Sequence, residues 1–340
     1  MSNSTKNLKA ILHKLGIEKL NPMQEEAKFT IHSEPNVVLL SPTGTGKTLA
    51  FLLPIIEEID KDLDKVQALI LVPSRELAIQ IEQVAREMGS GIKIHAFYGG
   101  RSFSKDRADL QTPPSILIGT PGRIADHFRK ETLSLDNLKI LVLDEFDKSL
   151  EIGFEVDMTE IVEALKFVNK RILTSATQGV EIPDFVGIKH LTTIDYLDEG
   201  VSKLKIKTVV SPTKDKLETL VKLLNHIGDK SGVVFCNFKD SIQRVSDFLT
   251  ENDISHGCFY GGLEQNDREN ELIKFRNGTH RLLIATDLAA RGIDVPEMDF
   301  IIHYHLPLKS EEFTHRNGRT ARMNAKGISY VLSWSGEPLP

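Results

Sequence analysis

The most constraining feature of the chain is the octapeptide Ser41-Pro42-Thr43-Gly44-Thr45-Gly46-Lys47-Thr48, set between an apolar run, Val37–Leu40, and a helical pattern from Leu49 to Ile59. A strand, a glycine-rich turn and then a helix is the geometry that cradles nucleotide phosphates. Gly44 and Gly46 let the backbone turn its N–H groups inward, where they and the helix N-terminus face anionic oxygens. Thr43, Gly44, Thr45, Gly46, Lys47 and Thr48 are therefore candidate nucleotide ligands. Lys47 is placed to reach the β- and γ-phosphates, and the Thr48 hydroxyl to ligate Mg²⁺. The full P-loop pattern asks for glycine where this chain has Ser41, but the Gly-x-Gly-Lys-Thr end is intact.

At 340 residues the chain is long for one core, and two domains are expected. No run of about 18 apolar residues occurs, so no membrane-spanning helix is expected. Met1–Lys6 lacks the apolar core of a secretion signal. Cys236 and Cys258 make neither a disulfide framework nor a metal site by themselves, which reads as a reduced, cytoplasmic protein. The net charge of −6 excludes binding by bulk basicity. A nucleic-acid partner would have to be held in a local groove, because the overall field repels phosphates.

Short apolar runs alternate with amphipathic helical patterns along the whole chain. The expected strands are Val37–Leu40, Ala68–Val72, Lys93–Phe97, Ser115–Ile118, Ile140–Leu143, Arg171–Leu173 and His190–Ile194, then Lys205–Val210, Gly232–Phe235, Ser255–Phe259, Arg281–Ile284, Phe300–Tyr304 and Gly327–Leu332. Most are rich in β-branched residues without polar alternation and carry helices between them, the signature of a parallel sheet covered on both faces. The aperiodic stretch Asp195–Ser202 breaks the rhythm. The fold class expected is α/β in two similar lobes, residues 1–198 and 205–340, with a linker over 199–204.

Ligands of open α/β sheets bind at the carboxyl ends of the strands, and the motifs fall there. Asp144-Glu145-Phe146-Asp147 follows Ile140–Leu143. In a chain with a P-loop this is the Walker B arrangement, with Asp144 holding Mg²⁺ and Glu145 orienting or deprotonating the attacking water. Hydroxyls of Thr174-Ser175-Ala176-Thr177 could hydrogen-bond that acidic turn. Pro73-Ser74-Arg75-Glu76-Leu77-Ala78, Gly99-Gly100 and Thr120-Pro121-Gly122-Arg123 likewise follow strands, and helix N-termini with a nearby arginine suit phosphodiester oxygens. In the second lobe stand Thr286-Asp287-Leu288-Ala289-Ala290-Arg291-Gly292-Ile293-Asp294 and His315-Arg316-Asn317-Gly318-Arg319-Thr320-Ala321-Arg322. Arg319 and Arg322, at i and i+3, share one helical face and suit fingers on a γ-phosphate. His303-Tyr304-His305 places two histidines on one side of a strand; with no third ligand nearby it reads as strand-end packing rather than a metal pair.

Together these motifs resemble the DEAD-box family of superfamily 2 RNA helicases, over nearly the whole chain and in the family's order. Asp144-Glu145-Phe146-Asp147 departs from the eponymous tetrapeptide only at Phe146, a position with no catalytic group. The resemblance implies two RecA-like domains, ATP and Mg²⁺ as cofactors, and RNA as partner. Gly16-Ile17-Glu18-Lys19-Leu20-Asn21-Pro22-Met23-Gln24 resembles the family's Q motif, in which Gln24 would read the adenine edge, with Ile17 beside it; Leu20 stands where proline is usual. By the same resemblance Pro73, Arg75, Gly99, Gly100, Thr120 and Arg123 would line the first lobe's RNA track, and Asn237, Gln265, Arg268 and Thr286 the second's. Asp287 would contact the ribose, with Gly292 and Asp294 in the same nucleotide-binding stretch. Ser175, Thr177, Asp147 and His315 would couple the nucleotide's state to the acidic turn.

The activity implied is RNA-stimulated ATP hydrolysis coupled to lobe closure, bending of single-stranded RNA and local unwinding of short duplexes, by a monomer away from any membrane. Two other readings use the same residues: a DNA-translocating ATPase of the same superfamily, and an ATP-gated RNA clamp with little turnover.

Overall fold

The computed structural model describes residues 3–177, 181–197, 204–287, 298–307, 310–317, 320 and 327–335. They form two compact units, the first built mainly from residues up to Glu199 and the second mainly from Gly200 onwards.

The first unit is a seven-stranded parallel sheet of β1 (Asn36–Leu40), β2 (Ala68–Leu71), β3 (Ile94–Phe97), β4 (Ile116–Gly119), β5 (Ile140–Leu143), β6 (Lys170–Ser175) and β7 (Thr192–Asp195), in the order β3-β4-β2-β5-β6-β1-β7. The helices described in it are α1 (Asn3–Lys14), α2 (Pro22–Ser33), α3 (Lys47–Glu58), α4 (Arg75–Glu87), α5 (Phe103–Asp109), α6 (Pro121–Arg129), α7 (Phe146–Ile152) and α8 (Glu155–Ala164). The second unit's sheet has six strands, β8 (Lys205–Ser211), β9 (Gly232–Phe235), β10 (Gly257–Phe259), β11 (Leu282–Ala285), β12 (Phe300–His303) and β13 (Ile328–Trp334), in the order β10-β11-β9-β12-β13-β8. Its described helices are α9 (Leu217–Ile227), α10 (Lys239–Glu251), α11 (Gln265–Arg276) and α12 (Ser310–Asn317).

All thirteen expected strands are present, with ends displaced by no more than two residues. The reason is burial on both faces. Alternate residues of β1 enter opposite clusters: Val37 and Leu39 join Ile31, Phe51 and Ile55, whereas Val38 joins Leu69, Leu141 and Leu173. Each such side chain contributes about 1.5–3 kcal/mol on burial, so an unpaired polar residue is costly on either face and the run reads as apolar. The second sheet repeats the pattern, with Val234 and Ile302 on one side and Val233 and Ile301 on the other.

Strand order positions the chemistry. β6 lies between β5 and β1, in register Leu143↔Leu173 and Leu40↔Ser175. The turns after β1, β5 and β6 therefore share one edge of the sheet. In the second unit β11, β9 and β12 are neighbours, so the residues after them also converge.

Candidate active site

The loop after β1 needs its glycines. Gly44 (φ +83°) and Gly46 (φ +88°) are both left-handed, a region that costs an L-residue about 1–2 kcal/mol. A Cβ on Gly46 would also lie 2.3 Å from Gln24 Nε2. α3 starts at the next residue and sinks Phe51, Leu52, Leu53 and Ile55 into the core, which fixes the loop against the sheet. Lys47 is buried, and its Nζ donates to the Ser41 carbonyl at 2.5 Å. Thr45 Oγ1 donates to the Pro42 carbonyl at 2.8 Å, and Thr43 and Thr48 are half-buried beside them.

Gln24 opens α2 in a reciprocal cap. Its backbone N–H donates to Asn21 Oδ1 at 2.9 Å, and its own Oε1 accepts the Asn21 N–H at 3.0 Å. Nε2 then donates to the Gly46 carbonyl at 3.2 Å, tying the start of α2 to the phosphate loop. Apart from the Q-motif resemblance, Gln24 reads as an ordinary helix-start residue; the cap is legible, but the bond to Gly46 is tertiary. Ile17 packs, half-buried, against the same core.

The acidic turn is more strained than its sequence suggests. Glu145 has φ 48° and ψ 49°, left-handed without being glycine, and is the N-cap of α7. Such a residue costs of order 1–3 kcal/mol and persists only where its surroundings hold it. Here the Glu145 N–H donates to Thr174 Oγ1 at 3.1 Å, and the Thr174 hydroxyl donates to Asp144 Oδ1. Asp147 is served separately: Thr177 Oγ1 donates to its Oδ2 at 2.9 Å, and Ser175 Oγ lies 3.2 Å from Thr177 Oγ1. The second oxygen, Asp147 Oδ1, is buried without a partner. Burial pushes the Asp144 carboxyl up to about 7, with the adjacent Glu145 charge adding to it against the Thr174 bond and Lys47. Phe146 turns into the core cluster holding Met158 and Ile161, so the larger side chain is absorbed by packing.

Along the same edge, Arg75 begins α4 behind the Ser74 cap and lies against the next turn. A Cβ on Gly99 or Gly100 would sit 3.4 or 2.7 Å from its guanidinium. Pro73 and Thr120 are buried. Arg123 points inward: Nε donates to Asp106 Oδ2 at 2.7 Å, Nη2 to the Arg101 carbonyl at 2.8 Å, and the group lies over the Phe103 ring. Asp106 is fully buried and also accepts from Arg101 and, at 3.1 Å, from His127, which stacks between Phe97 and Phe103. Those hydrogen bonds hold its carboxyl below the usual range, although burial alone would raise it. Nothing in Lys105-Asp106-Arg107-Ala108-Asp109 distinguishes Asp106 from Asp109 before the helix is seen to turn one of them inward.

In the second unit the convergence centres on Arg316, which the sequence offered only as a neighbour of the finger candidates. It is 1% exposed. Its Nε and Nη2 bond both carboxylate oxygens of Asp287, at 2.6 and 2.5 Å; Nη2 also reaches Asn237 Oδ1 at 2.8 Å and Nη1 the His305 carbonyl at 2.6 Å. One guanidinium thus ties the ends of β9, β11 and β12 to α12. Asn237 Nδ2 donates to the Leu306 carbonyl, Thr286 is half-buried, and Arg268 lies over the Phe259 ring. Gln265 and His315 fall within α11 and α12, and their side chains lie outside the described residues, as do Gly292, Asp294, Arg319, Arg322 and the linker up to residue 203.

Residues 21–185 match the DEAD/DEAH box helicase family and residues 215–324 the helicase conserved C-terminal domain. Across 327 residues the chain is 34% identical to the ATP-dependent RNA helicase eIF4A of Neurospora crassa, covering 94% of this chain and 82% of that protein. The chain belongs to the DEAD-box RNA helicase family. This DEAD-box protein is also 36% identical over 325 residues to the ATP-dependent RNA helicase DbpA of Escherichia coli, covering 94% and 71% of the two chains. Among solved structures it resembles S. cerevisiae Dbp5 bound to RNA and ADP BeF3, with a TM-score of 0.85 and 27% identity over 98% of this chain and 88% of the other. Its two parallel sheets with flanking helices are the paired RecA-like domains of the family. Among the described residues of this DEAD-box protein, no helix is long and apolar enough to cross a membrane.

Proposed function

We propose that the chain is an RNA-stimulated ATPase that couples hydrolysis to closure of its two lobes, residues 1–198 and 205–340, on a bent single strand of RNA. The observation that carries this reading is the shared edge of the first sheet, where the Thr174 and Thr177 hydroxyls bond the acidic turn and the Ser41 N–H, at the start of the phosphate loop, donates to the Ser175 carbonyl at 3.1 Å. Asp144-Glu145-Phe146-Asp147 is then this chain's form of the family's second motif.

Gln24 spends one amide hydrogen on Gly46 and one carbonyl lone pair on Asn21. The remaining donor and acceptor lie on one planar group, as the adenine edge requires. Lys47 exchanges the Ser41 carbonyl for the β- and γ-phosphates, and the N–H groups of Thr43–Thr48 line the phosphate cradle. The donor set fits Mg²⁺: a hydroxyl, Thr48, and a buried carboxylate, Asp144, are hard oxygen ligands, and a cation would offset the burial that raises the Asp144 pKa. When bound, Mg²⁺ supplies charge neutralisation at the phosphates. Glu145 orients and deprotonates the attacking water, and Arg319 and Arg322 stabilise charge on the γ-phosphate. Asp287, Gly292 and Asp294 complete the nucleotide site from the second lobe, Asp287 as positioned by Arg316.

Pro73, Arg75, Gly99, Gly100, Thr120 and Arg123 on the first lobe and Asn237, Gln265, Arg268 and Thr286 on the second follow the RNA backbone, with 2′-hydroxyls distinguishing RNA from DNA. Arg123, locked by Asp106, shapes this track more than it reaches out from it. Asp147, Ser175, Thr177 and His315 pass the nucleotide's state to the closure. The protein works as a monomer.

Because ATP and RNA each favour closure, each must tighten the other's binding by the same factor. The test is the affinity for fluorescent single-stranded RNA with and without a non-hydrolysable ATP analogue, and the converse titration. The expected result is a mutual tightening of about tenfold or more, weaker with DNA of the same sequence. RNA affinity indifferent to nucleotide would remove the coupling, and equal behaviour of DNA would make the chain a DNA translocase.

A further inference from the structure

Thr174 sits at the end of β6, fully buried, between the phosphate loop's strand and the acidic turn's strand. Its single hydroxyl does two jobs at once. The hydrogen goes to Asp144 Oδ1, and the oxygen accepts the backbone N–H of Glu145 at 3.1 Å. Glu145 is the one turn residue in the left-handed region, at φ 48° and ψ 49°. A buried N–H without an acceptor is costly, and a left-handed glutamate is costly too. The Thr174 oxygen offsets both by satisfying the N–H only when the turn adopts this shape. Ser175 and Thr177 do not share the task, because their hydroxyls pair with each other and with Asp147.

We propose that Thr174 is a positioning residue: it locks the Glu145 backbone in its left-handed conformation and holds the Asp144 carboxylate in fixed relation to it. This rests on the reading of Glu145 as the residue that activates water. Without the hydroxyl, Glu145 relaxes towards ordinary backbone geometry and its carboxylate leaves the attacking line, where displacements of about 1 Å cost about 100-fold in rate. Ground-state binding of ATP and RNA, made by other residues, is untouched.

Thr174→Val keeps the β-branched shape in a strand and removes only the hydroxyl; Thr174→Ser keeps the hydroxyl and removes a methyl. Two readouts apply: hydrogen exchange of the Glu145 amide in the nucleotide-free protein, and kcat and KM of RNA-stimulated hydrolysis, with Glu145→Gln run alongside. For Thr174→Val the expected result is amide exchange faster by about tenfold or more, and kcat lowered about 10- to 100-fold with KM for ATP and RNA little changed. Thr174→Ser should restore both readouts. Unchanged exchange and kcat in Thr174→Val would overturn the proposal, as would a Thr174→Ser as slow as the valine variant, since shape and not the hydroxyl would then matter. If Glu145→Gln retains full turnover, the reading of Glu145 fails and the proposal with it.

Discussion

Gly46 carries two constraints in one residue. Its φ of +88° excludes an L side chain without strain, and the space a Cβ would need is filled by the Gln24 amide 2.3 Å away. Gly46→Ala should therefore act twice, straining the loop by about 1–2 kcal/mol and swinging the Gln24 amide off the Gly46 carbonyl. Steady-state kinetics with ATP and GTP check this: KM for ATP should rise by about tenfold (1.4 kcal/mol), and the preference for ATP over GTP should shrink. An unaltered preference would separate Gln24 from the base. At this scale the sequence was legible where chemistry is local. Lys47 and Thr48 follow from Gly-x-Gly-Lys-Thr, and Asp144 and Glu145 from two acids at the end of a buried strand. Thr174 was named among the hydroxyls able to reach the acidic turn, and it does. Asp106 and Arg316 were not singled out, because the partners that give them their roles, Arg123 and His127 for one and Asp287 and Asn237 for the other, lie 17, 21, 29 and 79 residues away. An aspartate and an arginine in ordinary company say nothing of such partners until the fold supplies them.

The elements were legible for a physical reason that also limits them. Strands covered on both faces read as unbroken apolar runs, and β9, Gly232–Phe235, was delimited to the residue. β6 was read as Arg171–Leu173 and is longer, because the buried polar residues at its ends, Lys170, Thr174 and Ser175, break the apolar run while continuing the strand. They are also the residues that do something: Lys170 donates to the Ile31 carbonyl at the end of α2 and to Glu58 at 2.6 Å. His303 on β12 is a similar case. It stacks between Phe235 and Phe313, faces Asn317 and Ser329 through Nε2, and lies near Arg316. Burial, with the Arg316 charge, lowers its pKa from 6.5 to about 4. Since the folded form takes up its proton later than the unfolded chain, stability is intact above about pH 6.5 and is lost as pH falls towards 4. The full effect is roughly 3 kcal/mol. Urea unfolding of the chain followed at pH 7 and pH 4.5 should show this loss in the second unit's transition, and His303→Gln should reduce the pH dependence.

Over the whole molecule, composition was informative mainly by exclusion. A net charge of −6 on 340 residues denies the chain any general attraction for polyanions, so RNA binding must come from placed groups. Placement is what the first sheet provides, with its candidate track at one edge and its charged residues largely paired among themselves, as in Arg101, Asp106 and Arg123. The division into two sheets of seven and six strands was visible in the spacing of apolar runs. The ion-paired centre of the second unit was not, because Asn237, Asp287 and Arg316 lie far apart in sequence and meet only at adjacent strand ends.

We propose that this chain hydrolyses ATP in response to RNA through Glu145. The most direct test is the steady-state rate of ATP hydrolysis by the purified chain without nucleic acid, with single-stranded RNA, and with DNA of the same sequence, beside Glu145→Gln. The expected result is a large stimulation by RNA, little by DNA, and none in the mutant. Equal stimulation by DNA, or RNA binding with ATP but no turnover, would contradict it.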